Sequence, residues 1–252
     1  MLPVLTPETF AELLPTLPMP VPWPPAVRGW ALVVDADRTL APVDTGRQVG
    51  EVFTVNQSIR ATFEALGYVA EAFRRVSEIW SEVPADRYLA EIERVADETA
   101  IYPGWLELLA ACTPQIPVLV ASAGIPQVWR RILARHGFPR VPVIGGCHPA
   151  LDRYVVCPLV KEALVRWLQA RGLRVVVAGD SAIDEPMLRA SDLPLLVADH
   201  RGSPALRHRL AGDPRVRHLK LDERTFVGLA SIEPGALRAL LTTDTQEPRI
   251  GC

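Results

Sequence analysis

The sequence predicts an α/β protein, a doubly wound parallel sheet with a small helical domain set between its first strand and the rest. Three observations carry that expectation. Short apolar, β-branched runs alternate with segments of helical period along most of the chain, the rhythm of a mostly parallel sheet. Several of those runs stop at polar or acidic residues, as strands do where a sheet edge carries a site. And residues 48–100 show helical spacing with no strand signal at all.

Taken in order, the chain opens with a short helix expected from Pro7 to Leu14, capped by Thr6 and begun by a proline that suits the first helical turn. Pro18, Pro20, Pro22, Pro24 and Pro25 then exclude a regular helix or central strand, so residues 1–29 read as a Pro-rich arm. Ala31 to Val34 is the first buried strand, followed by a polar turn from Ala41 to Arg47. In the helical segment, Phe63, Leu66, Val69, Ala70, Phe73, Val76, Ile79 and Trp80 recur at steps of one to four residues, in the helical pattern. Pro84 begins a new helix with Tyr88, Leu89, Ile92 and Val95 on its apolar face. The aromatic residues Phe63, Phe73, Trp80 and Tyr88 are expected to form mostly the core of this insert, with one or two facing a cleft.

The α/β rhythm resumes after Tyr102-Pro103-Gly104. Helices are expected at Trp105–Ala111, Pro126–His136 (closed by Gly137), Val160–Ala170 (ended near Gly172), Glu185–Ala190 and, more weakly, Pro234–Leu241. Strands are expected at Val118–Ala121, Val141–Ile144, Arg174–Ala178, Leu195–Val197 and Arg217–Leu221. The predicted organisation is therefore an α/β core of residues 30–47 and 101–225, a helical cap of 48–100 and a tail of 226–252.

Composition narrows the function classes. Apolar residues make up 49% and charged residues 22% of 252, which is ordinary for a globular protein. The formal net charge of −2 gives no footprint for nucleic acid or an anionic membrane. No apolar run reaches the ~18–20 residues that span a bilayer, and the N-terminus has no basic start followed by an apolar stretch. Cys112, Cys147, Cys157 and Cys252 show no zinc-type spacing and read as reduced thiols of a cytoplasmic protein. His200, His208 and His218, in an Arg-rich region, read as solvated surface. His136 and His148 have no partner at metal-ligand spacing.

The chemistry concentrates at four places. Asp35 and Asp37 close the first strand, with Thr39 two residues on. Ser122, Ala123 and Gly124 follow the second strand. Lys161 starts a helix, and Gly179-Asp180-Ser181-Ala182-Ile183-Asp184 follows the Arg174 strand. In a parallel sheet such ends share one edge and can converge. Two carboxylates that close repel, so a cation offsets them or one keeps a proton. One carboxylate can attack a phosphoryl group while the other moves protons. Mg²⁺ held by Asp35 and Asp180 would let an anionic nucleophile approach an anionic phosphate. Ser122, backbone N–H groups near Gly124 and the Lys161 ammonium would hold the phosphoryl oxygens.

These residues resemble, motif by motif, the haloacid dehalogenase-like (HAD) phosphohydrolases. Asp35-Ala36-Asp37-Arg38-Thr39-Leu40 is similar to the family's DxDxT(L/V) motif, Ser122 and Lys161 to its second and third, and Gly179-Asp180-Ser181-x-x-Asp184 to its fourth, over roughly residues 30–200. The resemblance implies a Rossmann-like core and a C1-type cap. It implies Asp35 as nucleophile, Asp37 as general acid/base, and phosphate binding by Thr39, Ser122 and Lys161. Mg²⁺ would be bound by the Asp35 carboxylate, the Asp37 backbone carbonyl and Asp180. Asp184 would support the metal's water shell or Lys161. The segments around Ser122 and Asp180 are most similar to the phosphoserine phosphatase and pyrimidine 5′-nucleotidase branches, which implies a phosphatase of a small phosphorylated metabolite.

Two positions depart from those branches. Arg38 stands where many members carry Gly, and is expected to face solvent. Asp44 followed by Arg47 stands where phosphoserine phosphatases place a Glu for the substrate ammonium. Other readings are weaker. A dehalogenase has no use for Asp37, a phosphomutase would show transfer between substrates, and a protein phosphatase suits a capped cleft poorly. A binding protein without turnover would leave a filled catalytic set unused. Cys157 has no activating partner by sequence, Ser122 is not in a GxSxG elbow, and Gly145-Gly146 lacks the dinucleotide pattern.

Overall fold

The structure, a computed structural model, describes residues 2–13, 29–197, 203–222 and 229–243. The proline cluster at 18–25, His200 and Cys252 lie outside them. Seven strands form one parallel sheet: β1 (Gly29–Val34), β2 (Val118–Ala121), β3 (Val143–Ile144), β4 (Leu173–Gly179), β5 (Leu193–Val197), β6 (Arg217–Leu219) and β7 (Ser231–Ile232), in the order β3-β2-β1-β4-β5-β6-β7. The chain winds outward from β1 to β3, then returns to the centre and winds the other way from β4. β1 and β4 are therefore neighbours at the point where the winding reverses, and ligand crevices of open α/β sheets form there.

Period-2 alternation sorts β1 between the two faces of the sheet. Trp30, Leu32 and Val34 pack on the face covered by α6 (Pro103–Cys112), α7 (Pro126–Arg135) and α11 (Pro234–Thr243). Ala31 and Val33 pack on the opposite face, with α1 (Pro7–Leu13), α8 (Pro158–Gln169), α9 (Glu185–Ala190) and α10 (Ser203–Leu210). β1 is buried on both sides, which is why it reads as an unbroken apolar run. Prolines at the first helical turn start α6, α7 and α8, and glycines in the left-handed region follow α7 (Gly137, φ 90°) and α8 (Gly172, φ 83°).

The segment after β1 folds as four helices: α2 (Thr45–Val52), α3 (Asn56–Leu66), α4 (Ala70–Ser81) and α5 (Ala85–Glu98). They differ in attachment. α5 packs along core helix α7, with Arg131 ion-paired to Glu93 across the contact at 2.7 Å, and its Tyr88, Ile92 and Val95 are fully buried. α3 buries no residue and packs chiefly on α4.

Three features depart from the sequence expectation. α10 forms where no helix was predicted, and β7 extends the sheet within the expected tail, whereas α11 is the helix expected over Pro234–Leu241 and packs on α6 with Leu237 and Leu241 buried. His218, expected on the solvated surface, sits on β6 and is 1% exposed. An Arg-rich surround does not prevent a strand residue from pointing inward. Among the described residues, no helix is long and apolar enough to cross a membrane.

Candidate active site

Asp35 follows the last residue of β1, and its N–H donates to the Ala178 carbonyl of β4 at 2.9 Å. It continues the Ala31 and Val33 alternation and so falls on the α8 face, where Lys161 projects from the first turns of that helix. Lys161 Nζ donates to Asp35 Oδ1 at 2.5 Å and to Asp184 Oδ1 at 2.7 Å, and the residue is 1% exposed. Burial alone would lower the lysine's pKa, but the Asp184 and Asp35 charges more than reverse it, so the ammonium is held protonated.

Asp180, one residue beyond β4, comes from the neighbouring strand end. Its Oδ1 accepts from the Thr39 hydroxyl at 3.0 Å, and the same hydroxyl lies 3.2 Å from Asp35 Oδ2. Asp180 Oδ2 is buried and takes no hydrogen bond among the described residues. Burial and the charges of Asp35 and Asp184 push the Asp180 carboxyl well above the ordinary carboxylate range. Asp35 is pushed up to about 6 by burial and by Asp184, against the lowering effect of Lys161.

Asp184 starts α9 and folds back under the loop. Besides Lys161, it accepts from Ser181 N at 3.1 Å and Ser181 Oγ at 2.9 Å through Oδ2. Gly179 makes this possible, since a Cβ there would stand 2.6 Å from Asp184 Cβ. Asp184 therefore holds Lys161 and the loop in place.

Asp37 reaches the site by a turn, because β1 has ended. Arg38 adopts the left-handed region (φ 62°), where glycine is the least strained residue. Its guanidinium pairs with Asp44 Oδ2 at 2.5 Å and lines the cavity, so the expectation of a solvent-facing side chain is corrected. Asp37 Oδ1 accepts from both N and Oγ1 of Thr45 at 2.6 Å. Oδ2 is left toward Gly124, whose Cβ, if it had one, would lie 3.2 Å away. Loss of solvation, reinforced by the Asp44 charge, pushes Asp37 up to about 7 despite the two Thr45 hydrogen bonds. Ser122 is 1% exposed and its Oγ accepts from Gly124 N at 3.0 Å.

A cavity of about 750 Å³ opens above these groups. Asp35, Asp37, Ser122, Ala123, Gly124, Lys161 and Asp180 all line it. Thr39, assigned to phosphate by resemblance, is fully buried behind Asp35 and Asp180 and is absent from the lining. Thr45, which orients Asp37, carries no sequence signal beyond being a hydroxyl residue near the acids, whereas Ser181, which orients Asp184, stands within the fourth motif but has no role assigned to it by sequence. Of the aromatic residues in the cap, Phe63, Phe73 and Trp80 line the cavity, joined by Tyr68. Tyr88 stands behind it, its hydroxyl 3.1 Å from the sulfur of Cys147, which does line it.

The donor set fits a hard divalent cation. Asp35, Asp180 and Asp184 each present an oxygen within 4.8 Å of the others, all are buried, and Asp180 Oδ2 lacks any partner that would account for its desolvation. Asp184 is the weakest member, since both its oxygens already accept hydrogen bonds.

Fold and site together define a class: an α/β protein whose winding-reversal crevice holds buried acids around one lysine under a helical cover. A family model for haloacid dehalogenase-like hydrolases matches residues 32–189, and the chain belongs to that family. Among solved structures it is similar to a HAD family hydrolase from Salmonella enterica subsp. enterica serovar Typhi, with TM-score 0.54, 18% identity, and 81% of this chain and 75% of that one covered. It is also similar to a phosphoserine phosphatase solved as a phospho-aspartyl intermediate analogue (TM-score 0.53, 17% identity, coverage 73% and 91%). A third is a probable phosphoserine phosphatase from Vibrio cholerae (TM-score 0.51, 17% identity, coverage 74% and 60%). At these identities the likeness is one of fold. No curated protein matches the chain.

Proposed function

We propose that this protein is a Mg²⁺-dependent phosphatase of a small phosphorylated metabolite, working through an aspartyl phosphate on Asp35. The observation that carries the reading is the pairing of Asp35 with a fully buried lysine, beside a second carboxylate, Asp37, with one oxygen free to face the cavity. Lys161 orients Asp35 through Oδ1. Asp35 attacks phosphorus, an O–P bond forms, and the bond to the leaving oxygen breaks as Asp37 supplies its proton. Asp37 then takes a proton from water, whose oxygen attacks phosphorus and releases phosphate with Asp35 regenerated. Ser122, Ala123 and Gly124 line the same cavity, and the Ser122 hydroxyl and backbone N–H groups there would donate to the phosphoryl oxygens. Mg²⁺, held by Asp35 and Asp180 with the Asp37 carbonyl expected to join them, would supply positive charge between the acids and the phosphate. Asp37 favours this over dehalogenation. Three buried cysteines left as thiols accord with a cytoplasmic setting.

The direct test is hydrolysis of a phosphomonoester panel with Mg²⁺ and with excess EDTA; turnover that persists in EDTA sinks the metal requirement. Asp37→Asn should separate leaving groups. Loss of the general acid should lower kcat/KM, which reports the steps up to departure of the leaving group, by about 10²–10⁴ for alkyl phosphates, and far less for 4-nitrophenyl phosphate, whose leaving oxygen needs no proton. Equal losses for both would remove Asp37 from that role.

The acid cluster also predicts a thermal signature. A carboxyl whose folded pKa is raised contributes stability that is full below its unfolded value and is lost as pH rises through the folded one. With unfolded values near 3.8 and folded values of about 6 for Asp35, about 7 for Asp37 and well raised for Asp180, the metal-free protein should lose stability from pH 4 to above 7. Mg²⁺ should raise Tm more at pH 8 than at pH 5. Asp180→Asn should raise the metal-free Tm at pH 8 by about 2–5 °C and remove the Mg²⁺ response, as read by calorimetry with and without the ion.

A further inference from the structure

We propose that the end of the cavity away from the carboxylates binds an uncharged aromatic body on the leaving alcohol, so that the preferred substrate is the phosphomonoester of an aromatic-bearing alcohol and not an amino-acid phosphate. The inference rests on the phosphatase reading of the same site.

The cavity has room for such a group, since about 750 Å³ falls in the range of pockets that enclose drug-sized ligands (~300–1,000 Å³). The phosphoryl end is the sheet edge. An apolar wall is made by Ile59 and Phe63 of α3, Tyr68 of the connecting loop, and Phe73, Val76 and Trp80 of α4, with polar side chains of α2 and α3 such as Glu51 and Asn56 completing the lining. Phe63 is the centre of this wall, 5.2 Å from Tyr68 and 5.0 Å from Phe73 between ring centroids, the latter nearly edge-on. Rings so arranged present edges and faces that accept another ring in an offset or edge-to-face contact.

The wall is incompletely covered on its α3 side, whereas Phe73, Val76 and Trp80 are buried. Ile59 and Phe63 have the spacing of a core face, yet α3 buries no residue, and Tyr68 is 46% exposed. An apolar face aimed into a cavity that is continuous with the catalytic groups is completed by the part of a substrate that reaches it.

Charge points the same way. The position that would receive a substrate ammonium, Asp44, is spent. Its Oδ1 accepts from Arg47 N at 2.9 Å as the cap of α2, and its Oδ2 holds Arg38 at 2.5 Å. Arg47 is paired with Glu51 and Arg60 with Glu64. A leaving group with an ammonium and a carboxylate would have to displace these partners, whereas a neutral ring disturbs none of them.

The test compares 2-phenylethyl phosphate with ethyl phosphate and O-phosphoserine, three alkyl esters, with the wild type and with Phe63→Ala and Tyr68→Ala. Both sites are partly or largely exposed, so the variants should fold. In parallel, 3-phenylpropylphosphonate, its cyclohexyl analogue and propylphosphonate, none of which can be hydrolysed, are titrated by calorimetry with Mg²⁺ present. The expected result is a phenylethyl preference of about tenfold or more in kcat/KM, carried mainly by KM. The phenyl phosphonate should bind tightest, and the preference should shrink about tenfold in Phe63→Ala. Turnover of phosphoserine at or above that of the phenylethyl ester overturns the inference. So does equal or absent binding of the phosphonates, or an unchanged ratio in both variants. If no ester is turned over, the phosphatase reading fails, and the phosphonate titrations decide the aromatic site by themselves.

Discussion

Asp35→Asn should lower kcat for phosphomonoester hydrolysis by roughly four to six orders of magnitude, the scale of losing a nucleophile from a site whose groups act as a unit. The geometry makes the effect chemical and not structural. The amide keeps the shape of the carboxylate and leaves an oxygen for Lys161, which also retains Asp184 at 2.7 Å. It has no anionic oxygen with which to form the acyl phosphate. Acid quench of the wild type during turnover of a ³²P-labelled substrate should trap label on the protein, and the variant should trap none. Labelling of Asp35→Asn, or activity within tenfold of wild type, would falsify the assignment of Asp35 as nucleophile.

Lys161→Met is expected to have the largest effect on stability. The side chain is enclosed, and its ammonium faces Asp35 and Asp184, with Asp180 linked to Asp35 through Thr39. Removing one partner of a buried ion pair leaves the others uncompensated and typically costs about 3–5 kcal/mol. The direction with pH follows from which groups remain. The wild-type lysine has its pKa raised, so its contribution is intact below about 10.5 and does not vary across the neutral range. In the variant Asp35 and Asp180 rise further above their unfolded value of 3.8, and each gains protons as pH falls. The deficit should therefore be greatest near pH 8 and smaller at pH 5, read from urea midpoints at both. A loss equal at the two pH values would mean that the lysine acts by packing alone.

The two variants test different properties of one group of residues. The lysine that offsets the burial of Asp35 also aims it, so stability and the proposed catalysis share a contact. Asp180 is the opposite case, a carboxylate with an unpartnered oxygen that costs stability without a cation and acquires its use with one.

Much of the core was legible because it obeys local rules. The runs at Ala31, Val118, Arg174 and Leu195 are unbroken apolar stretches since both faces of the sheet are covered. Pro126 and Gly137 bounded α7 closely and Gly172 the end of α8, which begins at Pro158, two residues before the expected Val160. β7 escaped notice because two residues at a sheet edge give no periodicity, and α10 because its residues Ser203–Leu210 combine charges with little amphipathic pattern. His218 was misplaced since burial of a strand residue depends on which face the sheet turns inward, and flanking charges do not report that.

The candidate residues, Asp35, Asp37, Ser122, Lys161, Asp180 and Asp184, were singled out by the sequence. Acids and hydroxyls that stop an apolar strand are so costly to bury without purpose that their types and order alone mark a site. What only the tertiary structure decided is the set of relations among them. Asp184 turned out to hold Lys161 and the Ser181 loop, Thr39 to tie Asp35 to Asp180, and Thr45 to orient Asp37. Which aromatic residues wall the cavity, and that Asp44 is already occupied, were likewise settled in space. The side-chain hydrogen bond of 3.0 Å between Thr39 and Asp180 joins residues 141 positions apart. The order of residues along a chain specifies which groups are present; the parallel pairing of β1 and β4 at the centre of the sheet specifies which of them meet.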